Sequence, residues 1–412
     1  MERIIEKFSD QDLYSWSVGL FYLNHFSELV LEYTFVDRNN TIYPEGFAKR
    51  LMKEIWKLDG LNMTDEEIEG LKQFTSSYFP SWYYVFLRGL QLESAEVIFD
   101  QDDEGHLHGK IVGPAWRTVF WEQILLALIS EMYHREKNEL ENYDPDAESS
   151  FTRSKALMLL EAGCNFVDMG TRRRFSKEHH ENVVKDLCLV QQETPGLEGN
   201  FIGTSNLWLA TEMKKKYPWV KCIGTMSHQM ISVCAAIYGP REANKIAMQK
   251  WYESYRGNLG CYLPDCLGSN AFYLNFSRED AKVWDGYRID SGDNMEEFQK
   301  LHDKLLQFRV DPKTRGCVFS NGLKIHDAVD IHRQVAGRMQ DSYGLGTILT
   351  CGMADTTVKP SNIVIKATAC RLTPRHPWIK CVKLSCDLGK ATGDQKTIEA
   401  YKTLLGYDVE ER

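Results

Sequence analysis

Tyr287-Arg288-Ile289-Asp290-Ser291-Gly292-Asp293 joins a short apolar run to a polar turn built around a glycine, and residues 296–308 then repeat their apolar side chains with a helical period. A strand that ends in a tight polar turn and enters an amphipathic helix is half of a strand–helix–strand crossover. The same rhythm recurs on both sides. Apolar runs at 164–167, 200–202, 220–223, 317–319 and 339–343 end in Gly, Ser, Thr, Asn or Asp, and 325–337 has the pattern of another crossover helix. Repeated units of this kind predict an α/β barrel or a doubly wound parallel sheet.

The flanks read differently. Residues 1–145 alternate aromatic-rich helical stretches with strand-like runs at 30–35 and 95–99, and a polar, turn-rich segment at 137–150 that carries Pro145 closes this part as a surface connection. From residue 363 strands return, followed by a terminal helix near 397–405. No internal repeat or low-complexity tract interrupts the chain.

With 412 residues, 43% hydrophobic and 26% charged, the chain has ordinary globular composition and enough length for a barrel and a second lobe. A net charge of −9 offers no overall attraction to nucleic acid or to an anionic membrane, so any bound anion must be met by local basic clusters. The start of the chain has no signal-peptide pattern, and the apolar stretch 124–129 is bracketed by Glu122 and Glu131, which leaves no membrane-spanning segment. Eleven scattered cysteines without a C-x-x-C pair are expected to be reduced, mostly buried thiols of a cytoplasmic protein.

The chemistry is carried by the loops at the strand ends: Gly170 to Ser176 (with Arg172, Arg173 and Arg174), Gly203-Thr204-Ser205-Asn206, Gly224 to His228, Asp290 to Asp293, Ser320-Asn321-Gly322 and Gly344-Leu345-Gly346-Thr347. One such loop is only a turn. In barrels and open α/β sheets the carboxyl ends of the strands form the ligand-binding face, so six polar loops there make a site. Glycine-rich turns expose backbone N–H groups to phosphate, and arginines neutralise a pyrophosphate or carboxylate with forked hydrogen bonds. Asp290 and Asp293 can turn toward ribose hydroxyls or toward Mg2+ carried by a pyrophosphate, although Asp293 is equally placed to cap the helix after it. His228 gains interest only from its place in this ring of loops.

Taken in order, the blocks 170–176, 201–206, 224–228, 288–293 and 344–347 resemble the nicotinate phosphoribosyltransferases, and the likeness runs from about Asp12 to the segment around Lys383. The resemblance implies an irregular, TIM-like α/β barrel over 146–360, with an additional α+β lobe built from residues 1–145 and a C-terminal segment, 361–412, that returns to it. It further implies a homodimer with sites near the subunit interface, and ATP-coupled transfer of phosphoribose from phosphoribosyl pyrophosphate to nicotinate with Mg2+. By position Tyr14 resembles the aromatic residue that stacks on the pyridine ring, often supplied by the neighbouring subunit. Thr225 and Arg288 resemble nicotinate contacts, Thr347 a contact to the phosphoribosyl donor, and His228 the histidine phosphorylated by ATP. Ser15 and Trp16 stand where the family tends to have Lys and Thr, and Asn321 where many members carry Asp. Rival expectations are a nicotinamide-specific enzyme of the same fold, a sugar-phosphate lyase or isomerase on a standard barrel, and a non-catalytic relative. The first lacks a use for the cations at Arg288 and Arg172; the second needs a Schiff-base lysine or a positioned base that these loops do not offer.

Overall fold

The computed structural model describes residues 3–224, 226–387 and 391–407. Among the described residues, twelve strands form two sheets. Strands β1 (Val30–Asp37), β2 (Val97–Gln101) and β3 (Leu107–Pro114) come from the first part of the chain. They are followed by β4 (Asn165–Asp168), β5 (Asn200–Thr204), β6 (Lys221–Cys222), β7 (Cys261–Tyr262), β8 (Gly286–Ile289), β9 (Gly316–Phe319) and β10 (Gln340–Leu345). The last two are β11 (Ile363–Arg371) and β12 (Ile379–Lys380).

Strands β4 to β10 make one curled parallel sheet in the order β6-β5-β4-β10-β9-β8-β7. Successive strands are neighbours, and β10 returns to lie beside β4 through the pairs Tyr343↔Phe166 and Leu345↔Asp168. Only β6 and β7, at the two ends, are not paired with each other among the described residues. All pairings are parallel, so every carboxyl end lies on the same rim. The crossover helices fall where apolar periodicity placed them, at Asn294–Gln307 and Ile325–Val335.

The second sheet is antiparallel, in the order β12-β11-β1-β3-β2, and so combines strands from both ends of the chain. Its centre is β1, paired with β11 from Val30↔Arg371 to Asp37↔Ile363. Strand β3 has no counterpart in the sequence reading because two glycines and a lysine break its apolar pattern. Its alternating burial and Gly109 explain it: a Cβ at Gly109 would stand 2.1 Å from the ring of Phe99 on β2, so the gap is filled by that ring. The helix Trp121–Glu136 is buried on nearly all sides and packs against both β11 and the turn that follows β4. It thereby fixes the antiparallel sheet against the rim of the parallel one.

No described helix is long and apolar enough to cross a membrane. All 11 cysteines are free thiols, nine of them buried.

Candidate active site

A cavity of about 390 Å3 opens between the rim of the parallel sheet and the inner edge of β11. Its walls include Tyr14, Arg172, Ser205, His228, Arg288, Asp290, Ser320, Asn321, Gly344, Gly346 and Thr347, which brings most of the residues singled out in the sequence into one space. Thr225 lies outside the described residues. Asn206 and Asp293 do not line the cavity; both are helix caps. Asn206 accepts from the Leu209 N–H (3.1 Å) and its Nδ2 donates to Asp10 (2.9 Å). Asp293 is exposed and accepts from the N–H groups of Met295 and Glu296 at 2.9 Å each, the capping role that its sequence position already allowed.

The arginine loop is held from below by Asp168 at the end of β4. Its carboxylate accepts from the Gly170 N–H (3.0 Å), His180 Nε2 (2.8 Å) and Thr204 Oγ1 (2.6 Å), all buried. The following 3-10 turn, Thr171–Arg173, presents Arg172 and Arg173 to the cavity. Arg174 turns the other way: buried, it makes a two-pronged pair with Asp10 at 2.7 and 2.8 Å. It serves as a clamp between the N-terminal segment and the rim, and does not reach an anion in the cavity as the run of three arginines had suggested.

That clamp positions Tyr14. Ser205 Oγ donates to Asp12 at 2.8 Å, the Leu13 N–H to the Ser205 carbonyl at 2.8 Å, and the segment passes so close to Gly224 that a Cβ there would lie 2.8 Å from the Tyr14 nitrogen. The Tyr14 hydroxyl donates to Glu122 (3.1 Å) and accepts from Gln123 Nε2 (2.5 Å), both on the helix Trp121–Glu136. Tyr14 therefore enters the cavity of its own chain.

His228 is the first residue of the helix His228–Tyr238, and its Nε2 donates to Asp265 Oδ1 at 2.8 Å, with Asp290 Oδ2 at 3.7 Å. Burial holds the imidazole below its ordinary pKa. Although burial works against its charge, Asp265 is kept strongly acidic by His228 and Lys383 and by hydrogen bonds from His228 and Ser291. Asp290, which accepts from Ser320 Oγ (2.6 Å), is likewise held ionised against burial by Arg288 and His228. Asn321 donates to the Gly292 carbonyl (2.8 Å), fixing the turn after β8. Arg288 Nε is buried with no hydrogen-bond partner, a donor that a bound acceptor would satisfy.

Several wall residues went unmarked in the sequence: Arg38, Lys366 and Lys383, and behind the wall Asp265. Lys366 had a visible signal, a single charge inside the apolar run of β11. Asp265 follows β7, a strand of two residues too short to read. Counting the wall, six cationic side chains (Arg38, Arg172, Arg173, Arg288, Lys366, Lys383) face three carboxylates (Asp12, Glu122, Asp290). Burial together with repulsion from Arg172 and Arg38 lowers Arg173 to about 10, which measures how crowded the positive charge is.

A deep, cation-rich cavity at the carboxyl rim of a parallel sheet defines an α/β protein built to hold a small, strongly anionic molecule. The comparisons with known proteins are specific. Residues 10–130 match the nicotinate phosphoribosyltransferase (NAPRTase) N-terminal domain and residues 164–408 match the NAPRTase family, and the chain belongs to that family. It is 35% identical to nicotinate phosphoribosyltransferase of Desulforapulum autotrophicum over 96% of this chain and 97% of that one. For the Chromohalobacter salexigens protein of the same name the identity is 32%, with 98% of both chains covered. The crystal structure of nicotinate phosphoribosyltransferase from Porphyromonas gingivalis is similar with a TM-score of 0.89 at 34% identity, covering 98% of this chain and 100% of that one.

Proposed function

We propose that this chain joins nicotinate to the ribose of phosphoribosyl pyrophosphate, giving nicotinate mononucleotide and pyrophosphate for NAD salvage, with ATP hydrolysis as a coupled driver. The observation that carries this reading is the cavity wall itself, six cations against three carboxylates, in a member of this family. In the reaction the pyridine nitrogen forms a bond to the anomeric carbon as the bond to pyrophosphate breaks, and the departing oxygen takes the electron pair. Arg288, with its unpartnered Nε–H, receives the nicotinate carboxylate, and the ring face of Tyr14 supports the pyridine. Asp290, kept ionised, lies where positive charge develops on the ribose, and the cations around Arg172 take up charge on the leaving group.

Mg2+ fits this wall through Asp290, since it binds with one or two carboxylates plus substrate oxygens, and when bound it would neutralise the pyrophosphate. Asp293, exposed and capping a helix, is not its second ligand. For the ATP-coupled step, Asp265 fixes the N–H on Nε2 of His228 and leaves the lone pair on Nδ1. That nitrogen bonds to the γ-phosphorus as the bond to ADP breaks, and the phosphoryl group then biases the loops of the rim. We read the parallel sheet as an irregular barrel lacking one pairing among the described residues, and the protein as a cytoplasmic homodimer whose pyridine-stacking aromatic comes from its own chain.

A product assay with nicotinate and nicotinamide side by side, with and without ATP, tests the reading. Nicotinate mononucleotide formed faster with ATP is expected. Preference for nicotinamide, or no transfer to either, overturns it.

A further inference from the structure

The hairpin that joins β2, an edge strand, to β3 carries a polar cluster that takes no part in the cavity wall. Asp100 pairs with His108 across the two strands, and closer to the turn the Asp102 N–H donates to the His106 carbonyl at 3.1 Å. Positions opposite each other share a face, as do positions two apart, so the register sets Asp100, Asp102, His106 and His108 on one face of the hairpin. Asp102 uses its two oxygens differently. Oδ1 accepts from the backbone N–H groups of Glu104 (3.0 Å) and His106 (2.8 Å), which locks the turn, while Oδ2 meets two imidazoles, His108 Nε2 at 2.9 Å and His106 Nδ1 at 3.4 Å. Glu104 Oε2 lies 3.6 Å from the same His106 nitrogen. The scaffold is held firmly: Gly105 takes a φ of +93°, and Gln101 Nε2 donates to the carbonyls of Tyr43 (3.0 Å) and Gly105 (3.2 Å).

Hydrogen bonding accounts for only part of this arrangement. His108 is within hydrogen-bond range of Asp102, but His106, whose side chain is 19% exposed, holds Nδ1 at distances from Asp102 and Glu104 that are long for a good hydrogen bond. Those distances suit the ligands of one ion. Four atoms bound at about 2.0–2.1 Å around a tetrahedral centre lie about 3.4 Å from one another. Glu104 Oε2, His106 Nδ1, Asp102 Oδ2 and His108 Nε2, taken in that order, are separated by 3.6, 3.4 and 2.9 Å. We propose that this hairpin is a Zn2+ site, with Asp102, His106 and His108 as its protein ligands and Glu104 or water completing the tetrahedron. The His108 side chain, 61% exposed, has room to swing its ring and close the set. On binding, its proton moves from Nε2 to Nδ1 and the Nε2 lone pair goes to the metal. Two imidazoles beside a carboxylate select Zn2+ over Mg2+ and Ca2+, which prefer oxygen ligands throughout, and Asp100 and Asp103 add negative charge nearby. The ion would tie the edge strand β2 to β3, and the site stands independently of the phosphoribosyl-transfer reading.

The test is calorimetric titration of Zn2+ into the full, untagged chain, read beside the visible spectrum of bound Co2+, whose intense bands report tetrahedral ligation. His228, Asp265 and Asp290 form another grouping with the spacing for an ion, so each titration is repeated in a His228→Ala background. In both backgrounds the hairpin should bind Zn2+ and give the tetrahedral Co2+ bands, and Mg2+ should not displace either ion. The double variant His106→Gln with His108→Gln should lose one Zn2+ per chain together with the bands, while nicotinate-dependent turnover in the otherwise wild-type chain is unchanged. Asp102→Asn keeps the shape of the turn and removes the charged ligand, so Zn2+ should bind roughly tenfold more weakly or worse. Unaltered Zn2+ stoichiometry and affinity in the double variant overturns the assignment, as does an octahedral Co2+ spectrum in the His228→Ala background or ready displacement of Zn2+ by Mg2+ there.

Discussion

His228 is defined by the partner behind it. An imidazole whose Nε2 is tied to the ionised Asp265, and whose protonation is opposed by burial, keeps its other nitrogen unprotonated across neutral pH. His228→Ala should abolish ATP hydrolysis and ATP stimulation while sparing slow, ATP-independent synthesis, and γ-labelled ATP should leave acid-labile phosphate on wild type alone. Asp265→Asn keeps the shape but loses the tautomer control, so labelling should slow by roughly a hundredfold or more. Label that survives in His228→Ala would move the acceptor elsewhere. In wild type the labelling rate should hold as pH falls below the ordinary histidine range and decline only through the lowered value. Tyr14 carries two separable contributions. Tyr14→Phe removes the hydroxyl bonded to Glu122 and Gln123 and should cost about 0.5–1.5 kcal/mol in positioning, whereas Tyr14→Ala also removes the ring and should raise the nicotinate KM far more. Equal, small effects would make Tyr14 a packing residue. For Arg288→Ala, the lost charge-assisted contact should weaken nicotinate by roughly 1.5–3 kcal/mol in kcat/KM.

Among the elements, the N-terminal segment depends on the rim for its place. Asp10 is buried against Arg174 and also receives Asn206, and despite burial these partners lower it to about 2. Asp10→Ala leaves a buried guanidinium without its carboxylate and should destabilise the fold by about 3–5 kcal/mol in denaturant unfolding, while the double change Asp10→Ala with Arg174→Met should recover much of that loss. No recovery would mean that the segment is held by its backbone contacts instead. The same pair explains what the sequence disclosed. Strand-end loops were legible because Gly, Ser, Thr, Asn and Asp punctuate short apolar runs, a local signal, and nine of the singled-out residues share the cavity for that reason, while Tyr14 and Arg288 were marked by the family resemblance. The direction of Arg174 was not legible, since it is set by a partner 164 residues away. Lys366 and Asp265 were missed for related reasons: one sits in a strand assigned to a different lobe, the other after a strand of two residues. The capping of Asp293 was legible in its spacing, yet the sequence alone left its second possible role open.

At the scale of the whole molecule, acid sensitivity should come from buried histidines, both in the site and outside it. His134, His179 and His228 are all buried, and burial is the leading cause that lowers each of them. His179 is the extreme, at about 3, because the charges of His180 and Lys155 add to burial. It lies on the helix Lys177–Glu193, accepts from the Tyr143 hydroxyl at Nδ1 (3.2 Å), and packs edge-on against Phe175 and Tyr143. The unfolded chain protonates this ring near pH 6.5. Because the folded value is the lower one, the stabilisation is fully present above about pH 6.5 and is lost progressively as pH falls toward 3. Within that window one such group changes unfolding free energy by about 1.4 kcal/mol per pH unit. Asp10, at about 2, loses its contribution only below its ordinary value of 3.8, so the two windows overlap only at the acid end of the His179 range. Urea unfolding of wild type and His179→Gln between pH 7 and 4.5 provides the measurement: the variant should start less stable at pH 7 and fall with a slope shallower by about one proton. Parallel slopes for the two proteins would mean that His179 takes up its proton without unfolding, and that His134 and His228 carry the acid limb.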